Sequence, residues 1–305
     1  MDKITERILS EVADIHTVPE GAYNLRVNGK SEGRNSSANI QIVQKENKPG
    51  IDIIIAPGTK NESVHIPVVI SETGLKDLVY NDFYIGENAD VVIVAGCGIH
   101  NCGDQESAHD GIHTFHLAPN AKVKYIEKHY GEADGNGQNV MNPTTILELG
   151  EGSYLEMETV QIKGIDDTTR TTRGTVAASA TLIIREKIMT HENQRAVTDF
   201  FVSLDGEDSR ADVISRSVAK GNSYQNFSSE IVGNNKCYGH TECDAIIRDN
   251  AVVGAVPKLT AANVNAELIH EAAIGKIAGE QLIKLMTLGL TEAEAEEQIV
   301  TGFLK

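Results

Sequence analysis

The chain has 305 residues and a formal net charge of −17, from 44 acidic side chains against 27 Lys and Arg. A surface this acidic repels phosphate backbones, which excludes nucleic acid as an expected partner. No apolar run nears the roughly 20 residues that span a bilayer. The first residues, MDKITERILSEVADI, lack a basic segment followed by an apolar one, so no secretory leader is expected. The expected location is therefore the cytoplasm, where Cys97, Cys102, Cys237 and Cys243 stay reduced.

Residues 2–15 carry Ile4, Ile8, Val12 and Ile15 at helical spacing, which predicts a short amphipathic helix within residues 1–20. After Pro19 and Gly21 the period changes to two. YNLRVNG, ANIQIVQ, GIDIIIAPG and SVHIPVVI read as strands broken by turn residues. From about residue 80 a pattern repeats: a polar turn, a small residue, then an alternating strand. Its markers are Ala89, Ala121, Ser153, Ala180, Ser209 and Lys236, with two echoes at Ala251 and Ala266, only 15 apart. A repeat of this length fits stacked coils, in which each coil completes the core of its neighbours. Long hairpins in a sandwich or barrel are the alternative; the short polar turns favour the coil. The predicted class is mainly β, a solenoid over residues 21–274, with a helical segment over 275–305. The terminal helices are expected to cover the ends of the stack. In the last segment Leu282, Ile283, Leu285 and Met286 form an apolar stripe, and Gly289 is a helix stop. Thr291 and Glu294 form a capping box opening a final helix with Ile299, Val300 and Phe303.

Two stretches carry metal-ligating chemistry. Residues 97–116 hold Cys97, His100, Cys102, His109, His113 and His116. Thiolates and imidazoles are what zinc and iron prefer, and Cys97-x-x-His100-x-Cys102 is tight enough for three ligands to reach one ion. Strand parity turns His113 inward with Phe115 and Leu117. The second stretch, residues 236–277, holds Cys237, Cys243, His270 and Glu271. Parity places Cys243 opposite to His240, Glu242 and Asp244, and sets His270 and Glu271 on opposite faces. The motifs for zinc deaminases, zinc proteases, nucleotide-binding loops and serine hydrolases are missing, so any ATP is bound by another protein.

The run CDAII…NAELIHEAAIGKIAGEQLIKL…GLTEAEAEEQIVTGF, from Cys243 to Phe303, resembles the SufB/SufD family of iron–sulfur cluster assembly proteins. Weaker similarity extends upstream to Gly96-Cys97 and His113. The resemblance implies a right-handed parallel β-helix with terminal helices. It also implies a non-enzymatic scaffold that carries iron and a transient iron–sulfur cluster with the help of a SufC-like ABC ATPase. Matched by position, Cys243, Glu271 and His270 would hold the cluster, and Cys97, in exposed, His-rich surroundings that favour thiolate, would receive sulfur. The final two helices would dock the ATPase. Other partners implied are a sulfur donor and apo-protein recipients. The segment VVGAVPKLTAANVN departs from the family pattern, as do Cys102, His100 and the other extra histidines. Without the long N-terminal region of SufB, the chain looks like a minimal form that pairs with itself as a homodimer. Two other readings are a mononuclear zinc or iron enzyme using the Cys97–His116 cluster, and an inert assembly solenoid.

Overall fold

A computed structural model describes residues 3–13 and 21–305, except for the side chain of Ile162. The body is a β-solenoid of two ten-stranded sheets facing each other. Successive strands alternate between the sheets, so each coil gives one strand to sheet A and one to sheet B. From residue 60 onward the neighbours within a sheet are parallel. The first coil differs. Lys30–Asn35 and Ile40–Gln44 pair antiparallel with their neighbours and form the outer edges of the two sheets at the N-terminal end.

The repeat has a conformational cause. At the sheet A corners Asn88, Asn120, Gly152, Ser179 and Asp208 all have φ between 56° and 64°, the left-handed region that Gly, Asn and Asp enter at least cost. Each is followed by a small buried residue: Ala89, Ala121, Ser153, Ala180 and Ser209. A larger side chain there would enter the packed interior. The sixth marker is corrected by one residue. Ser209 pairs with Cys237, not Lys236, and Lys236 instead forms an ion pair with Asp208 at 2.8 Å. Ala251 and Ala266 stand only 15 apart because they mark strands of opposite sheets, half a coil from each other: Ala251 precedes its strand and Ala266 opens its own.

Inside, the aliphatic rows of both sheets merge into one core from Ala22 to Cys243. Phe83 and Phe115 stack in adjacent coils, centroids 4.4 Å apart. Burial of these rows is the main stabilising term, on the order of 25 cal/mol per Å² of apolar surface.

The helices do not cover the ends as expected. Helix α1, Lys3–Ala13, lies against the outer face of sheet A, burying Ile8, Leu9 and Val12 with Val69. Gly96 and Gly98 make this possible: a Cβ on Gly98 would lie 2.1 Å from Ile8, and one on Gly96 2.5 Å from the Val12 carbonyl. The predicted helix over 1–20 extends beyond the described residues on both sides. At the far end, helix α3, Glu292–Phe303, opens on the Thr291–Glu294 capping box and packs Val300 on Val218 and Ile246. Helix α2, Gly279–Thr287, buries none of its residues. The last strands, Val252–Ala261 and Ala266–Gly275, have no further coil beyond them, and Leu259 and Val256 are exposed.

Candidate functional site

Register fixes where the sequence-predicted residues stand. Along the inner face of sheet A one row runs Ala95, Glu127, Thr159, Glu186, Ser215, Cys243. The next row runs Cys97, His129, Gln161, Ile188, Ser217, Ala245. Cys97 and Cys243 therefore face the same interior, on adjacent rows, five strands apart. At about 4.8 Å per strand that is about 24 Å.

The space between the two cysteines is polar and closed. Arg170, from sheet B, donates to Glu127 Oε2 at 2.7 Å and lies 3.5 Å from Glu186 Oε2. It also donates to His129 Nδ1 at 3.3 Å. A guanidinium only donates, so His129 carries its proton on Nε2, which faces Glu127 at 3.6 Å. Glu186 further accepts from Thr198 at 2.9 Å and Ser215 at 2.9 Å. Ser215 is the direct register neighbour of Cys243. Burial alone would push the Glu127 carboxyl up, but His129 and Arg170 hold it well below the usual carboxylate range. At the other end Tyr125 donates to Glu127 Oε1 at 2.9 Å. The Tyr125 oxygen therefore accepts from His113 Nδ1 at 2.9 Å, and His113 Nε2 accepts from the Asn81 amide at 3.3 Å. His113 points inward as predicted, but both ring nitrogens are already engaged. Burial lowers its pKa to about 4, so it is a neutral imidazole and not a free ligand.

Two expectations are corrected. Cys97 does not sit in exposed surroundings that favour thiolate. It is 4 % exposed, walled by a cavity of about 20 Å³ shared with His109, His113 and His129. Burial, Asp77 and Glu127 raise its pKa well above that of an ordinary thiol. Second, Cys97, His100 and Cys102 do not converge. The strand turns His100 to the face opposite Cys97, where Glu132 takes its Nδ1 at 2.9 Å, and Cys102 is exposed in the following turn. As strand parity predicts for His270 and Glu271, these two and Cys243 do not meet in one chain. His270 is inward beside Thr241, one row from Cys243, while Glu271 is outward beside Glu242. Among the described residues the only trio of potential ligands with atoms within 4.8 Å of one another is His240, Glu242 and Glu271.

The inner pair has two features that suit a metal cargo. Among the described residues His270 Nδ1 is buried with no hydrogen-bond partner, a state rarely left uncompensated. Cys243 is 2 % exposed, and burial, with Glu186 and Asp244 behind it, pushes its pKa up to about 12. It is a thiol at neutral pH and becomes a thiolate ligand only when a metal displaces the proton.

Sequence reasoning passed over Glu127, His129, Arg170, Glu186 and Ser215. Their signal was charge at inward parity, as in KVKYIEKHY, where Tyr125, Glu127 and His129 share the face of Val123.

A family model described as SUF system FeS cluster assembly, SufBD core domain, matches residues 80–303. A protein of Archaeoglobus fulgidus named iron-sulfur cluster assembly SufBD family protein is 29% identical over 269 residues, covering 87% of this chain and 70% of that one. Similarly named proteins are 27% identical in Methanocaldococcus jannaschii, over 86% of this chain and 82% of the relative, and 27% identical in Pyrococcus horikoshii, over 89% and 83%.

Proposed function

Because the chain belongs to the SufBD family of iron–sulfur cluster assembly proteins, we propose that it is a scaffold on which a cluster is built at Cys243 and then released. The observation that carries this reading is the pairing of a deeply buried thiol, Cys243, with the unpartnered His270 nitrogen on the next row. The cluster is cargo. A thiolate and an imidazole hold it less firmly than four thiolates would, which suits transfer. One chain offers too few inward ligands to complete the site, so a second copy contributes the rest. The open last coil, with Val252, Val256 and Leu259 exposed, is the face on which two copies meet.

Cys97 receives sulfur from a donor protein. The row of Glu127, Thr159, Glu186 and Ser215 gives that sulfur a polar path towards Cys243, shut at rest by Arg170. Opening the path needs work from outside. Helix α2 is built to transmit it: Ile283 and Met286 are exposed, and Leu288 just beyond its end is 80% exposed. An ABC-type ATPase docked there would bind and hydrolyse the nucleotide, while this chain holds and transfers cargo to apo-protein recipients.

Anaerobic reconstitution with ferrous iron and sulfide tests the reading. A brown protein with iron and acid-labile sulfide in near-equal amounts is expected. Zinc at one per chain in the protein as isolated, with no sulfide retained after reconstitution, would overturn it.

A further inference from the structure

The outer wall behind Cys243 carries a second group of ligands that the resemblance assigns no role as a set. His240 and Glu242 lie on Cys237–Ile247 and Glu271 on Ala266–Gly275, with Glu242 and Glu271 as direct register neighbours. A ligand atom from each lies within 4.8 Å of the other two. His240 Nδ1 is bonded to Asp212 Oδ1 at 2.7 Å, which leaves Nε2 as the nitrogen free to coordinate. A carboxylate behind an imidazole fixes the ring and raises its basicity, the arrangement that supports histidine ligands in metal sites. Glu242 is half-buried, with Asp244 two residues on along the same face of the strand. Its one cation, Arg216, stands 3.7 Å away. Among the described residues Glu271 has no hydrogen-bond or ion-pair partner. Two adjacent carboxylates that share one cation are a site short of positive charge.

We propose that His240, Glu242 and Glu271 bind one divalent transition-metal ion, with Asp212 as the positioning residue behind His240. One imidazole and two carboxylates suit ferrous or manganous ions, which keep water in their remaining positions and exchange readily. The assignment of ferrous iron as the physiological ion rests on the cluster-assembly reading; the binding itself does not. Glu242 and Cys243 are consecutive residues on opposite faces of one strand, so the wall that holds the cluster thiol inside holds an iron-loading site outside.

Titration of the whole chain with Mn(II), followed by loss of the free-ion paramagnetic resonance signal, and anaerobic titration with Fe(II) read the site directly. One ion per chain is expected. Glu242→Gln and His240→Ala should each weaken binding at least tenfold and Asp212→Asn by less, while Cys243→Ser leaves it unchanged. All four positions are tested with thermal melts alongside, so loss of fold is separated from loss of ligand. Unchanged affinity in Glu242→Gln and His240→Ala, or no stoichiometric binding in the wild type, overturns the proposal. If the wild type incorporates sulfide at Cys243 but binds no manganese, this inference fails and the assembly reading stands. If manganese binds at the trio but no sulfide is ever incorporated, the reverse holds.

Discussion

Replacing Arg170 by Met should destabilise the protein by about 3–5 kcal/mol, the cost of stranding buried charge when one partner is removed. For a chain of this length that lowers the melting temperature by on the order of 10 °C. The reasoning is geometric. Arg170 is 5 % exposed and bridges Glu127 and Glu186, themselves 5 % and 4 % exposed. Without it, two carboxylates from coils two strands apart in sheet A lose their shared cation while both remain buried. Each must then take up a proton or stay charged and unpaired. Met fills most of the volume, so the loss reports charge and not a cavity. Adding Glu127→Gln and Glu186→Gln to Arg170→Met should therefore recover most of the stability. Circular dichroism melts of the single and triple variants check this; a single-variant loss below about 1 kcal/mol would mean that the bridge is not a structural element.

The second large effect is on acid stability. Burial lowers the pKa of His113 to about 4 from its ordinary 6.5. As pH falls, the unfolded chain takes up the proton first. The stabilisation from keeping His113 neutral is thus full above about pH 6.5, shrinks as pH falls, and is gone below about pH 4, amounting to about 3 kcal/mol in all. Glu127 and Asp77 are held below their usual range and act the same way in sign, since depressed carboxyls contribute above their ordinary pKa and lose it as pH falls further. Their window opens only below about pH 4.5. Denaturant unfolding between pH 7 and pH 4.5 reads the histidines whose pKa burial lowers, His113 and His65. His113→Gln keeps a donor for Tyr125 and an acceptor for Asn81, and should flatten the slope in that interval. An unchanged slope would contradict the account.

The solenoid was legible because its physics is local and periodic. Small residues after polar turns at Ala89, Ala121, Ser153, Ala180 and Ser209 mark real corners. The shift from Lys236 to Cys237 arises because the last such turn lacks the left-handed residue of the others. His113 was legible as inward by parity, and Cys243 as facing away from His240, Glu242 and Asp244. What parity cannot supply is register between distant strands. Nothing local says that Glu127 and Glu186, 59 positions apart, stand two strands from each other with Arg170 across from both. Nor does the strand Asp90–Asn101 announce that its inner face, at Cys97, will be closed by His109, His113 and His129, which is why Cys97 read as accessible. The opposite facing of His270 and Glu271 was legible, and it matters most. It divides the chemistry between an inner wall with Cys243 and an outer wall with His240 and Glu242.

The most direct measurement is iron and acid-labile sulfide on Cys243→Ser and Cys102→Ser after identical anaerobic reconstitution. Cys102 is exposed and apart from both rows, so its variant should match the wild type. Cys243→Ser should keep its fold and its manganese site yet retain almost no sulfide. Full iron and sulfide on folded Cys243→Ser would contradict the placement of cluster assembly at this thiol.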